Sequence, residues 1–234
     1  MISFVVPAYN EELELPSTIV SIRKAAQSRQ HEIIVVDDAS TDATAKIAQD
    51  NGVRVISIDR RQIAAARNAG AHLTRGDVLF FVDADTQINS MHVNGALEAL
   101  SDGYSGGSAR VVVAGEIPTW SRICLRIFCT VYFGFNLGAG AFLFTTRQNF
   151  TAMGGFDERL FIGEEVYFSL GLRKLGRFKV LAEPVLTSGR KLRLYSAGVI
   201  WMNFLRVMIL GSRAARSRDG LNIWYDGKRE TRST

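Results

Sequence analysis

Short apolar runs recur along the first hundred residues, and each is followed by a longer stretch in which apolar positions return every three or four residues. The runs Ile2–Ala8, Glu32–Asp37, Val53–Ile58 and Val78–Val82 read as strands. The last of them, VLFFV, is continuously hydrophobic and reads as buried on both faces. Between the runs the spacing predicts helices near Pro16–Ser28, up to about Asn51, near Gln62–Thr74 and over Ser90–Leu100. Pro16 suits a first helical turn, where a missing N–H is harmless. Ser40, Thr41 or Asp42 can cap the second helix, and Gly52 closes it. This alternation predicts an α/β fold with a mostly parallel, doubly wound central sheet and helices on both faces, in which ligands bind at the carboxyl ends of the strands.

The pattern changes after residue 102. GYSGGSARVVVAG (103–115) predicts a strand rising from a loop, the apolar stretch 123–135 a helix, and GAGAFLFTT (138–146) a further strand. A helix then opens at Glu164 and Glu165 and stops at Gly176, ahead of a strand over Phe178–Glu183 and the stretch TSGRKLR (187–193). These signals predict one domain over 1–193, built of halves 1–102 and 103–193, followed by a C-terminal segment, 194–234. Residues 127–146 carry no charge and are long enough to span a bilayer, but three glycines, Asn136 and the strand-like GAGAFLF argue against a spanning helix. Leu194 to Leu210 is interrupted by Arg206 and followed by Arg213, Arg216 and Arg218, the pattern of an amphipathic helix lying at a membrane interface.

Composition adds limits rather than direction. A chain of 234 residues with 47% hydrophobic and 22% charged residues can bury a sizeable core and is not a disordered one. Cys124 and Cys129 stand five apart, which suits neither a redox pair nor a zinc knuckle; they read as buried thiols of a reducing compartment. The start MISFVVPAYNEE lacks the features of a signal peptide, so a cytoplasmic chain is expected. The net charge of +5 is concentrated at one end: residues 186–234 hold 10 Lys and Arg against 3 Asp and Glu, leaving 18 against 20 in residues 1–185. Such a tail can meet nucleic acid, an anionic membrane surface or a phosphorylated ligand.

The candidate chemistry lies at the strand ends. VLFFV runs straight into Asp83 and Asp85, and residues two apart on an extended segment face the same side, so both carboxylates can point at one place. An isolated D-x-D fits a solvated turn as well. Its companions decide: the first strand ends in Pro7-Ala8-Tyr9-Asn10-Glu11-Glu12 and the second in Asp37-Asp38, all on one edge of the expected sheet. Neither G-x-G-x-x-G after the first strand nor G-x-x-x-x-G-K-[ST] is present, so a dinucleotide fold and a P-loop are unsupported. A divalent metal held by carboxylates can bridge diphosphate oxygens instead.

Taken in order, VVPAYNEE (5–12), VVDDASTDAT (35–44), AARNAGA (65–71), FVDADT (81–86), MGGFDERLFIGEEVYFSLGLRKLG (153–176) and TSGRKLR resemble the family 2 glycosyltransferases, which have the GT-A fold. The resemblance implies a metal-dependent, inverting transfer of sugar from a nucleoside-diphosphate sugar, preferably a UDP-sugar, to an acceptor hydroxyl. It implies that Pro7, Ala8, Tyr9 and Glu11 form a nucleotide-binding loop, with Tyr9 against the base and Glu11 near the ribose. Asp38 would hydrogen-bond the base with Asp37 as neighbour, and Arg67 would belong to the nucleotide pocket. Asp85 would ligate Mn2+ or Mg2+, with Asp83 on the ribose or on the metal through water. Glu165 matches the catalytic base, with Glu164 beside it, although the same two acids also suit a helix N-terminus. Relatives often carry Asp where Glu165 stands. The Q-x-x-R-W of processive relatives is absent, which favours single additions. No role falls to His31, His72 or His92, and nucleic acid is not an expected partner. A glycan or lipid-linked acceptor and peripheral attachment to the inner face of a membrane complete the expectation. A sugar nucleotidyltransferase would want a glycine-rich loop after the first strand, which VVPAYNEE lacks; a non-catalytic nucleotide-binding scaffold is the other alternative.

Overall fold

The computed structural model describes residues 1–115, 132–190, 194, 215 and 216. The expected interfacial helix 194–210 beyond its first residue, most of the apolar helix 123–135, and both cysteines lie outside the described residues. In chain order the elements are β1 (Ile2–Ala8), α1 (Leu15–Ala26), β2 (His31–Asp38), α2 (Thr44–Asp50), β3 (Arg54–Ile58), α3 (Ile63–Leu73), β4 (Val78–Val82), β5 (Thr86–Gln87), α4 (Ser90–Ser101), β6 (Tyr104–Ala114), β7 (Phe142–Thr146), α5 (Arg147–Ala152), α6 (Glu164–Leu175) and β8 (Arg177–Ser188). The strands form one sheet in the order β3-β2-β1-β4-β7-β6-β8-β5.

The first four strands are parallel, as alternating strands and helices require. The second half departs from that plan. β7 runs antiparallel to both β4 and β6, and β5 antiparallel to β8, so the sheet is mixed. β8 is also longer than the sequence suggested. Its register against β6 shifts between Ala109 and Arg110, whose partners are Leu181 and Pro184. The proline therefore sits at an irregularity, where a missing N–H is tolerated, and the strand continues to Ser188. That extension carries Thr187 and Arg190 towards the ends of β1 and β4.

Alternation along the strands divides the core between two faces. Phe4, Val6, Phe80 and Val82 point with Ile19, Ile22 and Val93 into the layer under α1 and α4. Val5, Leu79 and Phe81 point the other way, with Phe150, Phe156 and Phe168. On this second face Phe81 meets Phe156 edge-on at 5.0 Å, and Phe156 stacks on Phe168 at 4.1 Å between centroids. Each such aromatic contributes roughly 0.5–1.5 kcal/mol beyond its buried area. The cluster fixes the loop ahead of α6, and α6 itself, against the strand that ends in the acidic pair. Close packing around β6 needs glycine at 107, where a Cβ would lie 2.2 Å from the Lys179 carbonyl oxygen.

Candidate active site

The loop after β1 is laced to the loop after β2. The N–H of Asn10 donates to Ser40 Oγ, that of Thr41 to Asn10 Oδ1, that of Glu11 to Thr44 Oγ1 and that of Ala43 to Glu12 Oε2. The N-cap of α2 is Ala43, without a side-chain capping bond, rather than Ser40, Thr41 or Asp42; Asp42, just before it, receives the Thr44 N–H. The result is a rigid rim at the carboxyl edge of the sheet. Beneath it lies a cleft of about 100 Å³ lined by Pro7, Ala8, Tyr9, Glu11, Asp38, Asp83 and Asp85, with Arg61, Gln62, Ile63, Ala66, Ala84 and Arg190. Of the residues expected to bind nucleotide, Arg67 stands apart from this lining.

Asp38 is buried, and its carboxylate accepts from the N–H groups of Arg60, Arg61 and Gln62 at 2.7, 2.8 and 2.7 Å. An anion ahead of α3 suits the positive end of the helix dipole, and it satisfies donors that would otherwise be buried without partners. Asp38 thus holds the loop that closes one side of the cleft. Asp37, on the opposite face of β2, has its Oδ1 buried with no hydrogen-bond partner.

Two arginines organise the acids. Arg190 forks onto Glu11, Nη1 to Oε2 at 2.8 Å and Nη2 to Oε1 at 2.7 Å, and Nη2 lies 3.4 Å from Asp85 Oδ2. Thr187 Oγ1 donates to Asp85 Oδ1 at 3.2 Å, so the end of β8 and the residues just after it flank that carboxylate. Arg67, 1% exposed, reaches Asp83 Oδ1 with Nη2 at 2.9 Å and Glu164 Oε1 with Nη1 at 2.7 Å. Its Nη2 also donates to the Gly140 carbonyl. Arg67 therefore lies under the site, joining the acidic strand end to the head of α6. Neither Arg190 nor Arg61 had been given a role from the sequence. TSGRKLR marked the neighbourhood of the first, whereas nothing in the pattern separates Arg61 from a surface arginine.

Gly163, at φ 75°, turns the chain into α6, a backbone geometry that glycine adopts without strain. Glu164 and Glu165 follow in the first turn. Arg67 pins Glu164, while the Glu165 carboxyl, packed among protein atoms and beside the Glu164 charge, is pushed up to about 8. Burial and the same two carboxylates raise the Tyr132 phenol, whose hydroxyl donates to the Gly138 carbonyl at 2.8 Å. Near this head of the helix the Phe161 N–H donates to the Ala215 carbonyl at 2.6 Å, so the chain returns here from its C-terminal part. His92 has a structural task, accepting the Asn89 N–H in the capping box of α4.

Asp85 and Asp83 offer hard oxygen donors from one strand end. Among the described residues no group of three or more His, Cys, Asp or Glu is arranged to hold a metal ion. A divalent cation fits here as Mg2+ commonly does, on one or two carboxylates with substrate phosphates completing its shell. Among the described residues no helix is long and apolar enough to cross a membrane.

Several known proteins share this architecture or parts of this sequence. S. aureus TarS 1-349 in complex with UDP-GlcNAc superposes with a TM-score of 0.62 at 19% identity, covering 97% of this chain and 71% of TarS. Mannosyltransferase PcManGT from Pyrobaculum calidifontis, in complex with GDP-Man and Mn2+, gives 0.66 at 17% identity, covering 96% of this chain and 67% of that one. These likenesses establish the GT-A fold. In sequence the chain is 38% identical over 111 residues to 4,4'-diaponeurosporenoate glycosyltransferase of Staphylococcus haemolyticus, covering 44% of this chain and 28% of that protein. It is 29% identical over 215 residues to the succinoglycan biosynthesis protein ExoO of Rhizobium meliloti, covering 86% of this chain and 60% of that one. An undecaprenyl-phosphate 4-deoxy-4-formamido-L-arabinose transferase of Pseudomonas paraeruginosa matches at 33% over 113 residues, 44% of this chain and 33% of its own. The chain thus spans less than two thirds of each of these sequence relatives. The family model for glycosyl transferase family 2 matches residues 3–181, and with strand order, acidic strand end and paired glutamates in place, the chain belongs to that family.

Proposed function

We propose that the chain transfers a single sugar from a nucleoside-diphosphate sugar to an acceptor hydroxyl, with inversion and with a divalent cation. The observation that carries this reading is the Arg67 bridge. It sets Asp83, at the end of β4, and Glu164, neighbour of Glu165 whose carboxyl is pushed up by burial and the Glu164 charge, on one guanidinium. The nucleotide lies in the cleft of Tyr9, Glu11 and Asp38, and the diphosphate runs towards Asp85. When bound there, the cation supplies Lewis-acid stabilisation of the negative charge that develops on the leaving diphosphate. Arg190 adds a buried positive charge at the same end and keeps Glu11 and Asp85 from repelling one another. Glu165 accepts the proton of the acceptor hydroxyl, while Arg67 holds Glu164 in place. One base and one displacement invert the anomeric carbon.

UDP-sugars remain the favoured donors, since TarS is seen with UDP and UDP-GlcNAc, although the GDP-Man of PcManGT keeps GDP in view. A lipid-linked acceptor is supported by the relative named for undecaprenyl phosphate. The basic excess of residues 186–234 fits peripheral attachment to an anionic, cytoplasmic membrane face. Thermal shift with UDP, GDP, CDP and dTDP, each with and without Mn2+ or Mg2+, tests the donor class. A metal-dependent rise with one nucleotide, lost in Asp85→Ala, is expected; a shift that survives Asp85→Ala would remove Asp85 from the metal, and no shift at all would remove the donor reading.

A further inference from the structure

We infer that Arg61 is the second wall of the nucleobase site: the base enters by lifting the Arg61 guanidinium off the Tyr9 ring and lies between the two. This rests on the nucleotide-binding reading above and goes beyond it in naming what holds the base. In the structure the Arg61 guanidinium carbon stands 3.5 Å from the centroid of the Tyr9 ring. Stacked bases repeat about every 3.4 Å, so the position against Tyr9 that a base would take is the one Arg61 occupies. The cleft is correspondingly small, about 100 Å³ against the roughly 300–1,000 Å³ of ordinary ligand pockets. A base stacking on Tyr9 would displace the group that covers that ring.

The surroundings single out the Arg61 side chain. Pro7 and Ala8 belong to β1 and Ala66 to α3, both fixed in the core. The backbone of Arg60, Arg61 and Gln62 is clamped by the Asp38 carboxylate. Arg61 itself has φ 49°, a left-handed conformation uncommon for a residue with a side chain. The clamp keeps this geometry in place, and with it the Arg61 side chain over Tyr9. A long side chain on a fixed backbone can lift by a few torsions and settle on the far face of the base. A planar guanidinium can lie flat on a π-face, whereas an ammonium meets it only as a point charge.

The test is calorimetric titration of UDP and GDP, with Mn2+, into the wild-type chain, Arg61→Ala, Arg61→Lys, Tyr9→Ala and the Tyr9→Ala/Arg61→Ala double variant, after circular dichroism has confirmed each fold. Losing one stacking face should weaken the nucleotide that binds by about tenfold, equally in Arg61→Ala and Arg61→Lys. The double variant should lose less than the sum of the two single losses, because the two walls act through one base. Wild-type affinity in Arg61→Lys would show a charge contact instead and overturn the sandwich. Unchanged or tighter binding in Arg61→Ala would overturn it as well, leaving Arg61 as an obstruction only. If the wild-type chain binds neither of these nor CDP or dTDP, the donor reading itself fails and the inference with it.

Discussion

At the head of α6, the Glu165 carboxyl has a raised proton affinity, which suits the proposed base. Its proton is held up to about 8 by burial and by the neighbouring Glu164 charge, so it is a stronger base than an exposed glutamate once ionised. If it takes the acceptor's proton, kcat/KM should rise with pH until about 8 and then level off. Glu165→Gln should lower transfer by a factor of about 100 or more while leaving nucleotide affinity as in the wild type. Normal turnover by that variant would move the base elsewhere. Stability should run the opposite way. The folded carboxyl keeps its proton above the unfolded value near 4.5, so between that value and about 8 the folded state binds more protons and becomes less stable as pH rises. Urea melts from pH 4 to 9 should show that decline in the wild type and a flatter curve in Glu165→Gln; parallel curves would refute the raised value. Asp83, Asp85, Glu164 and Glu165 could be named from motif and strand context, because the chemistry demands carboxylates at strand and helix ends. Their partners could not. That Arg67 joins Asp83 to Glu164, and Arg190 joins Glu11 to Asp85, depends on contacts 97 and 179 residues apart, which local periodicity does not encode.

At the scale of elements, legibility followed the same physics. β1 and β4 were readable to the residue, since continuous apolar runs bounded by polar turns admit one register. β5 was not, because two residues carry no period, and it exists through its pairing of Thr86 with Thr187 and Gln87 with Leu186. The helix α5 was missed for its length of six residues, and β8 was cut short at Glu183 because Pro184 reads as a breaker until the register shift is seen. The loop between β3 and α3 is the element most dependent on one distant side chain. Asp38→Ala would strip three N–H groups of their acceptor and should cost about 1–3 kcal/mol. Hydrogen exchange at the Arg60–Gln62 amides should quicken in that variant while the α4 amides exchange as before. Uniform protection across both would show that the clamp is incidental.

Across the whole molecule, the parallel half presents the proposed nucleotide cleft and the mixed half presents the paired glutamates, and an ion triad centred on the buried Arg67 joins them. Arg67 is 1% exposed, and Glu164 is nearly as buried. Removing the guanidinium alone leaves Glu164 without its counter-charge in a poorly solvated place, a change that typically costs about 3–5 kcal/mol, while Asp83, 35% exposed, is compensated by water. Arg67→Met fills a similar volume and should lower stability by that order in urea melts. Adding Glu164→Gln should recover part of the loss, since the more deeply buried of the two orphaned charges is then gone. Transfer should not recover with it: the double variant would keep its fold and still lack the bridge that sets the head of α6 against Asp83. If the double variant regains wild-type turnover, the triad serves stability alone, and the two halves of the site are aligned by the aromatic cluster of Phe81, Phe156 and Phe168.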